Sequence, residues 1–528
     1  MKIAGFCSSH DCSYCILDDG IPIIHNELER FTREKEPMGD GIQFMFDNED
    51  TVDDITHFTH CFDTWNGGIT ERFPKTFEEM SNIVKKNNGN YYVPGHHMSH
   101  AANAFFSSNY DESLIFTIDG GGRDYGVNNE MIITAFTVWE GIGNKISEVD
   151  ITHYGNINIG GIWSSVTEKA FGLSAGYPKG NQAGTIMAMS CLGDPKYVDV
   201  FLNANLINTR VDYSYLKEII NRSEKDSFDV AASLQLATEI YTKNLLTKYI
   251  QRYPHYEYLC LAGGVVLNSV MVGKMYDWFP HIKGIYIPPV PYDAGLSLGS
   301  CQYVWHQILD NPRIKWDDNK TPYLGRCYSK NEIDNAINER SEELISVVSN
   351  DDKIVDLLSE GDNVISIFNK ESESGRRALG NRSIIADPRN PNMKDILNRK
   401  VKYRQWFRPF APSILKQFVS EWFERDVSSP YMTKVVKFKD DVIGKVPAVT
   451  HYDNTARLQT VTEKDNSWYY NLINKFYVKT GVPILLNTSF NDREPIVETP
   501  QHAINCFLKT NIDYLYFPEY KILIKKSK

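Results

Sequence analysis

Short apolar runs closed by glycine, asparagine or aspartate alternate along this chain with longer segments of helical period. At the start, Ile3 to Phe6 is apolar, Ser8-Ser9-His10-Asp11 is polar, and Tyr14 to Leu17 is apolar again. Asp19-Gly20 then separates that run from Ile21-Pro22-Ile23-Ile24. The pattern predicts a strand, a polar loop, a second strand, a tight turn and a third strand. Further on, Leu114 to Ile118 ends in Asp119-Gly120-Gly121-Gly122, and Tyr258 to Leu261 ends in Ala262-Gly263-Gly264. Both read as buried strands followed by glycine loops, the second running into a helix over Val265 to Met275. Phe228 to Tyr249 and Lys330 to Glu343 repeat apolar positions at helical spacing, and Asn363 to Phe368 reads as a new first strand. Strands ending in glycine loops and alternating with helices predict an α/β fold with a nucleotide at the strand ends.

Length and composition narrow this picture. At 528 residues, a prior of roughly 150 residues per domain gives two to four domains. The polar stretch Asp310 to Lys330, or the helix after it, is the best boundary, and we divide the chain into residues 1–345 and 346–528. The net charge is -11, which removes the electrostatic footprint of a nucleic-acid or anionic-membrane binder. No apolar stretch approaches the roughly 20 residues of a membrane span, so a cytoplasmic protein is expected. Nine scattered cysteines argue against a secreted disulfide framework. Cys12 and Cys15 form an isolated CxxC that reads as plain thiols. From Lys370 to Arg408, however, eleven Lys/Arg stand against four Asp/Glu. A basic segment in an acidic chain suggests a pocket for a small anion.

Two sets of residues carry candidate chemistry. His96 and His100 lie one helical turn apart and share a face, behind a Pro94-Gly95 helix start. With Asp119 and Asp293 they would make a two-His, two-Asp set suited to Fe(II), Mn(II) or Zn(II). His97, in the same run, is a candidate contact for substrate or metal-bound water. The second set is arginine-rich, running from Glu373-Ser374-Gly375-Arg376-Arg377 through Asn381-Arg382 to Lys402 and Arg408. Arginine forks match phosphate and carboxylate oxygens.

These motifs resemble those of O-carbamoyltransferases of the NodU/CmcH/TobZ type, over nearly the whole chain. The resemblance rests on the His10-Asp11 loop, Glu29 to Lys35, His96-His97-x-x-His100-Ala101, Asp119-Gly120, Gly263 to Asn268 and Asp293-Ala294-Gly295. It continues in Arg377 to Ser383, Arg408 to Pro412, Thr455 to Gln459 and Asn487 to Asn491. It implies an actin-like (ASKHA, TsaD-like) N-terminal domain and a YrdC-like α/β C-terminal domain. The implied activity makes carbamoyl-adenylate from carbamoyl phosphate and ATP, with Mg, and then carbamoylates the hydroxyl of a small molecule. Carried over by position, His96, His100, Asp119 and Asp293 resemble iron ligands. Lys35, Gly263, Gly264 and Asn268 resemble nucleotide contacts. Arg377, Arg382, Lys402, Arg408, Arg457 and Asn487 resemble the carbamoyl phosphate and ATP cradle. Ser8 and His10 lie where the family places acceptor and intermediate, with His10 a candidate base. Family members often pair, so a homodimer is a possible state. The chain departs from the family at Arg376, usually proline, and at Asn454 and Arg493, usually glycine. It also lacks a lysine at Thr185. Such departures keep open a nucleotide-binding scaffold without turnover, and behind it an actin-like small-molecule kinase.

Overall fold

A computed structural model describes residues 1–61, 69–125, 131–153, 158–203, 211–315 and 322–527. The chain divides into two compact units, residues 1–316 and 317–528. This division falls within the stretch 310–330 and differs from the one at 345/346 by about thirty residues. The reason is long-range pairing: strand Leu344–Val348 hydrogen-bonds along Ile522–Lys526, near the other end of the chain. The helix Lys330–Asn338 before it therefore belongs to the second unit. Within the polar stretch that suggested a boundary, residues 316–321 lie outside the described residues.

The first unit contains two five-stranded sheets. The first is formed by β1 (Lys2–Cys7), β2 (Ser13–Asp18), β3 (Ile21–Glu27), β4 (Ile55–His60) and β5 (Tyr91–Tyr92), in the order β3-β2-β1-β4-β5. The predicted opening hairpins are present: β1, β2 and β3 are antiparallel neighbours, while β4 is parallel to β1 and β5 to β4. The second sheet is formed by β6 (Glu112–Tyr125), β7 (Met131–Ile142), β8 (Lys145–His153), β11 (Tyr258–Ala262) and β12 (Gly284–Tyr286). Between them in sequence, β9 (Ala175–Gly176) and β10 (Gly180–Asn181) make a small separate hairpin. The second sheet runs β12-β11-β6-β7-β8, again with three antiparallel strands followed by two parallel ones. The same order used twice is the duplicated layout of the actin-like nucleotide-binding fold. Strand β11, Tyr-Leu-Cys-Leu-Ala, is almost entirely buried, as a central parallel strand must be.

One local expectation fails. The glycines after Ile118 do not form a loop; β6 continues through them to Tyr125, with a register shift between Ile118 and Gly122. Glycine here makes a bulge that bends the strand and re-aims Asp119, rather than ending the strand.

The second unit carries a nine-stranded mixed sheet in the order β13-β21-β20-β14-β15-β19-β16-β18-β17. Its strands are β13 (Leu344–Val348), β14 (Val364–Phe368), β15 (Arg382–Ala386), β16 (Ala411–Leu415) and β17 (Lys434–Lys437), then β18 (Thr455–Val461), β19 (Ile484–Ser489), β20 (Tyr514–Phe517) and β21 (Ile522–Lys526). Helices Ser467–Thr480 and Pro500–Lys509 pack on it. All nine cysteines are free thiols. Among the described residues no helix is long and apolar enough to cross a membrane.

Candidate functional site

The helix His96–Phe106 starts at Gly95, which has no side chain to cap it. Strand β6 supplies the cap instead: Asp124 accepts from the backbone N–H of His97 at 2.9 Å and of Met98 at 3.1 Å. A Cβ on Gly95 would lie 2.0 Å from Asp124 Oδ1, so glycine is the residue that admits this carboxylate. Burial raises Asp124's carboxyl to about 6 even with those bonds. The cap fixes the rotation of the first turn, and with it the face shared by His96 and His100.

On that face His100 Nε2 lies 3.0 Å and His96 Nε2 3.3 Å from Asp119 Oδ2. Asp293 Oδ1 stands 3.4 Å from His100 Nε2 and 3.8 Å from His96 Nε2. One donor atom from each of the four residues lies within 4.8 Å of the others. The carboxylates are held from behind. Asp119 Oδ1 accepts from the N–H groups of Gly120 at 2.6 Å and Gly264 at 3.3 Å, leaving Oδ2 for the histidines. Gly263 has φ +97°, and a Cβ there would meet the Ile118 carbonyl at 2.3 Å. Its N–H donates to the Pro291 carbonyl at 2.7 Å, tying this turn to the segment that carries Asp293. From the first sheet, Ser13 and His25 both donate to the Ala294 carbonyl, at 2.7 and 2.8 Å. Tyr292 donates to Glu27 at 2.5 Å.

The charge balance fits a cation. Burial alone would lower His100, but the hydrogen bonds that it donates to Asp119 and Asp293 outweigh it and raise the imidazole to about 9. Asp119 is held well below the usual carboxylate range by the two histidines, against the opposing effect of burial. The two carboxylates thus keep a proton on His100, a positive charge that a divalent ion would supply when it displaces that proton. Two imidazoles and two carboxylates also suit a borderline transition metal.

Other expected residues divide into those at this site and those turned elsewhere. His10 belongs to it: Nε2 is 3.4 Å from Asp293 Oδ2, and Nδ1 is 3.2 Å from Asp11. Burial lowers its basicity, but Asp11 and Asp293 more than compensate and raise it well above the histidine range. Ser8 is buried and its Oγ accepts from Gly41 N–H at 2.9 Å. His97 is not a substrate contact. It is fully buried, 2.6 Å from Thr117 Oγ1 and 3.0 Å from the Thr134 carbonyl, and burial holds it well below the histidine range. The amide of Asn268 is engaged inside the protein: Oδ1 caps Met271 N–H, and Nδ2 donates to Gln235. The Lys35 stem lies beside Gly180 of β10.

In the second unit the arginines converge. Arg457, on β18, is driven well below the arginine range first by burial and then by Arg377, Arg404 and Arg408. Among the described residues no carboxylate lies within ion-pair distance of Arg404, Arg408 or Arg457, and Arg457 Nε is buried without a partner. Gathering guanidinium groups beside one another opposes folding unless an anion joins them. Arg404, which the sequence reading passed over, is set by Asn398 Oδ1 at 2.8 Å and the Pro409 carbonyl at 3.2 Å. Asn487 Nδ2 reaches Gln459 at 2.9 Å and the Ala378 carbonyl at 3.1 Å, leaving Oδ1 buried and without a hydrogen bond.

Two expected cradle residues are supports instead. Arg382 is fully buried 3.6 Å from the centre of the Phe368 ring, and donates to the carbonyls of Asn369, Asn381 and Lys370. The ammonium of Lys402 is engaged by Ser489 and Asn491. Glu373, which opens the arginine-rich run, accepts from the N–H groups of Leu379, Asn381 and Arg382 and shapes the turn after Arg377. The departure at Asn454 is benign: its φ of 62° is left-handed, a conformation asparagine adopts readily.

The chain thus combines a duplicated actin-like fold that holds a two-His, two-Asp cluster with a second unit that holds a cluster of arginines. The family models agree: "Carbamoyltransferase N-terminus" matches residues 68–301 and "Carbamoyltransferase C-terminus" residues 355–525. The nodulation protein NolO of Bradyrhizobium diazoefficiens is 34% identical over 80% of this chain and 77% of its own. The uncharacterized protein sll1178 of Synechocystis is 35% identical over 80% and 74%. The 3'-hydroxymethylcephem-O-carbamoyltransferase of Amycolatopsis lactamdurans is 24% identical over 73% and 74%. The chain belongs to the carbamoyltransferase family. Among solved structures, HypF of T. kodakarensis aligns at a TM-score of only 0.38 and 12% identity, over 58% of this chain and 48% of that one. The strand order, not that superposition, therefore carries the fold assignment.

Proposed function

We propose that the protein makes carbamoyl-adenylate from carbamoyl phosphate and ATP at the arginine site, then carbamoylates an alcohol at the His96–His100–Asp119–Asp293 site. The observation that carries this reading is Arg457, half-buried with its Nε closed to solvent, beside three other arginines and without a carboxylate partner among the described residues. Such a group suits phosphates that change charge during reaction. In the first step water releases phosphate from carbamoyl phosphate, and the carbamate oxygen forms a bond to the α-phosphorus of ATP as pyrophosphate leaves. Arg377, Arg404, Arg408 and Arg457 bind the phosphoryl oxygens, with Mg accompanying ATP. Glu373, Arg382 and Lys402 hold the backbone around them in place.

In the second step the alcohol oxygen bonds to the carbamoyl carbon, the bond to the adenylate oxygen breaks, and AMP leaves. His96, His100, Asp119 and Asp293 would hold a divalent metal, Fe(II) or another transition ion, that polarises the carbonyl when bound. Asp11 orients His10 through Nδ1, so Nε2 faces the site. Asp11 and Asp293 hold a proton on this ring, and with the charge of Asp293 shared by a cation the ring would be free to lose that proton and accept the hydroxyl's. The test is a mass-spectrometric screen of sugars and 3'-hydroxymethylcephem with ATP, carbamoyl phosphate and Fe(II). Carbamoylated product, lost in His100→Ala, is expected. A phosphorylated acceptor formed with ATP alone would overturn the reading.

A further inference from the structure

The arginines of this site can only donate and Asn487 Oδ1 can take one hydrogen, yet the ligand proposed for it ends in an amide with two N–H groups. Guanidinium groups can satisfy the oxygens of carbamoyl phosphate. They cannot accept from its NH2 group, and a buried N–H donor without an acceptor would weaken binding. A second acceptor is therefore needed, and strand β18 provides a place for one.

Residues two apart on a strand share a face, about 7 Å from one another. Thr455, Arg457 and Gln459 form such a row on β18. Gln459 engages the Asn487 amide at one end. At the other end Thr455 Oγ1 meets His451 Nδ1 at 3.2 Å and donates to Asp453 Oδ1 at 2.7 Å. Its only hydrogen goes to the carboxylate, so the hydroxyl must accept from His451. That places the ring proton on Nδ1 and leaves Nε2 a bare lone pair. The His451 backbone N–H also donates to the Thr455 carbonyl at 2.8 Å, which fixes the ring to the strand's end. Nε2 is closed to solvent and has no hydrogen-bond partner. Burial, opposed by Asp453 but reinforced by Arg457 and Lys394, pushes the imidazole down to about 4. It is neutral at physiological pH, an acceptor beside a cluster of cations.

We propose that His451 contacts the ligand and determines specificity: Nε2 accepts an N–H of the carbamoyl group bound beside Arg457, selecting carbamoyl phosphate over acyl phosphates that end in carbon. This rests on the proposed activity of the arginine site and adds the feature of the ligand that the site reads.

The experiment uses the full chain and compares carbamoyl phosphate as substrate with acetyl phosphate as competitor, reading pyrophosphate release from ATP. Acetyl phosphate keeps the phosphate and carbonyl but has a methyl in place of NH2. His451→Ala should raise KM for carbamoyl phosphate roughly tenfold, the effect of one unpaired N–H, with the inhibition constant for acetyl phosphate unchanged. His451→Gln, whose Oε1 can take the place of Nε2, should keep most of the selectivity, and the shorter His451→Asn should lose it. Equal weakening of both ligands in His451→Ala would make His451 a structural residue and overturn the inference. Unchanged constants for both would overturn it too. Wild-type protein that releases no pyrophosphate would overturn the proposed function itself, a result visible before any variant is made.

Discussion

Placing a methyl on Gly122 tests the metal cluster without replacing any of its four side chains. A Cβ built there lies 2.2 Å from Cδ2, 2.3 Å from Cγ and 2.7 Å from Cβ of His96. Ordinary carbon contacts are about 3.5–4.0 Å, so His96 must retreat by about 1 Å or more. The crowded atoms include Cβ, so a change of rotamer cannot relieve the clash; the first helical turn must move, against the hold of Asp124 on His97 and Met98. Displacing a ligand by about 1 Å costs on the order of 100-fold in a positioned reaction. Gly122→Ala should therefore lower metal affinity and acceptor carbamoylation by roughly 10- to 100-fold, while carbamoyl-phosphate-dependent pyrophosphate release stays normal. Metal content after dialysis against a chelator and a competitive metal titration measure the first quantity. Gly444→Ala is the control, because a Cβ there meets nothing within 4 Å. Normal metal content and transfer in a folded Gly122→Ala protein would refute the placement of His96.

Other outcomes follow from the same geometry. Arg457→Ala should cut pyrophosphate release by roughly 10- to 150-fold, the loss of one charge-assisted phosphate bond of about 1.5–3 kcal/mol. Its melting temperature without ligand should rise, because a charge crowded by like charges is gone; a fall in both would make Arg457 structural. His100→Ala should strip the metal and abolish transfer while sparing pyrophosphate release, and retained metal in that variant would remove His100 from the ligand set. Burial of Lys434 lowers its ammonium from 10.5 to about 7, so the unfolded chain binds the extra proton between these values. The protein should gain stability as pH rises from about 7 toward 10.5, by on the order of a few kcal/mol from this residue. Lys434→Met should flatten that rise in urea titrations and stabilise the protein at pH 7; an unchanged slope would show that Lys434 is solvated.

What could be read in the sequence depended on whether a feature was local. The opening hairpins and the shared face of His96 and His100 follow from periodicity over a few residues, and the structure has them. The turn of Gly263, with its positive φ, is of the same kind. The direction of a polar side chain is not. Arg377 and Arg382 stand five residues apart in one motif, yet Arg382 turns its guanidinium to three backbone carbonyls and the Phe368 ring. That choice is set by the pairing of β15 with β14, where Arg382 faces Phe368 itself. The engagement of Asn268 by Gln235 is likewise a contact across sequence. His451 offered a faint signal, a histidine four residues before a threonine at a strand start, but its tautomer emerges only with the bond from Thr455 to Asp453.

The central claim is that carbamoyl phosphate and ATP react here before any acceptor takes part. The direct measurement is product analysis with purified protein, Mg, ATP and carbamoyl phosphate, each omitted in turn, and no acceptor present. The account predicts pyrophosphate only when both substrates are present, with a matching release of phosphate from carbamoyl phosphate. Formation of ADP on adding an alcohol, independent of carbamoyl phosphate and without pyrophosphate, would contradict it and identify a kinase.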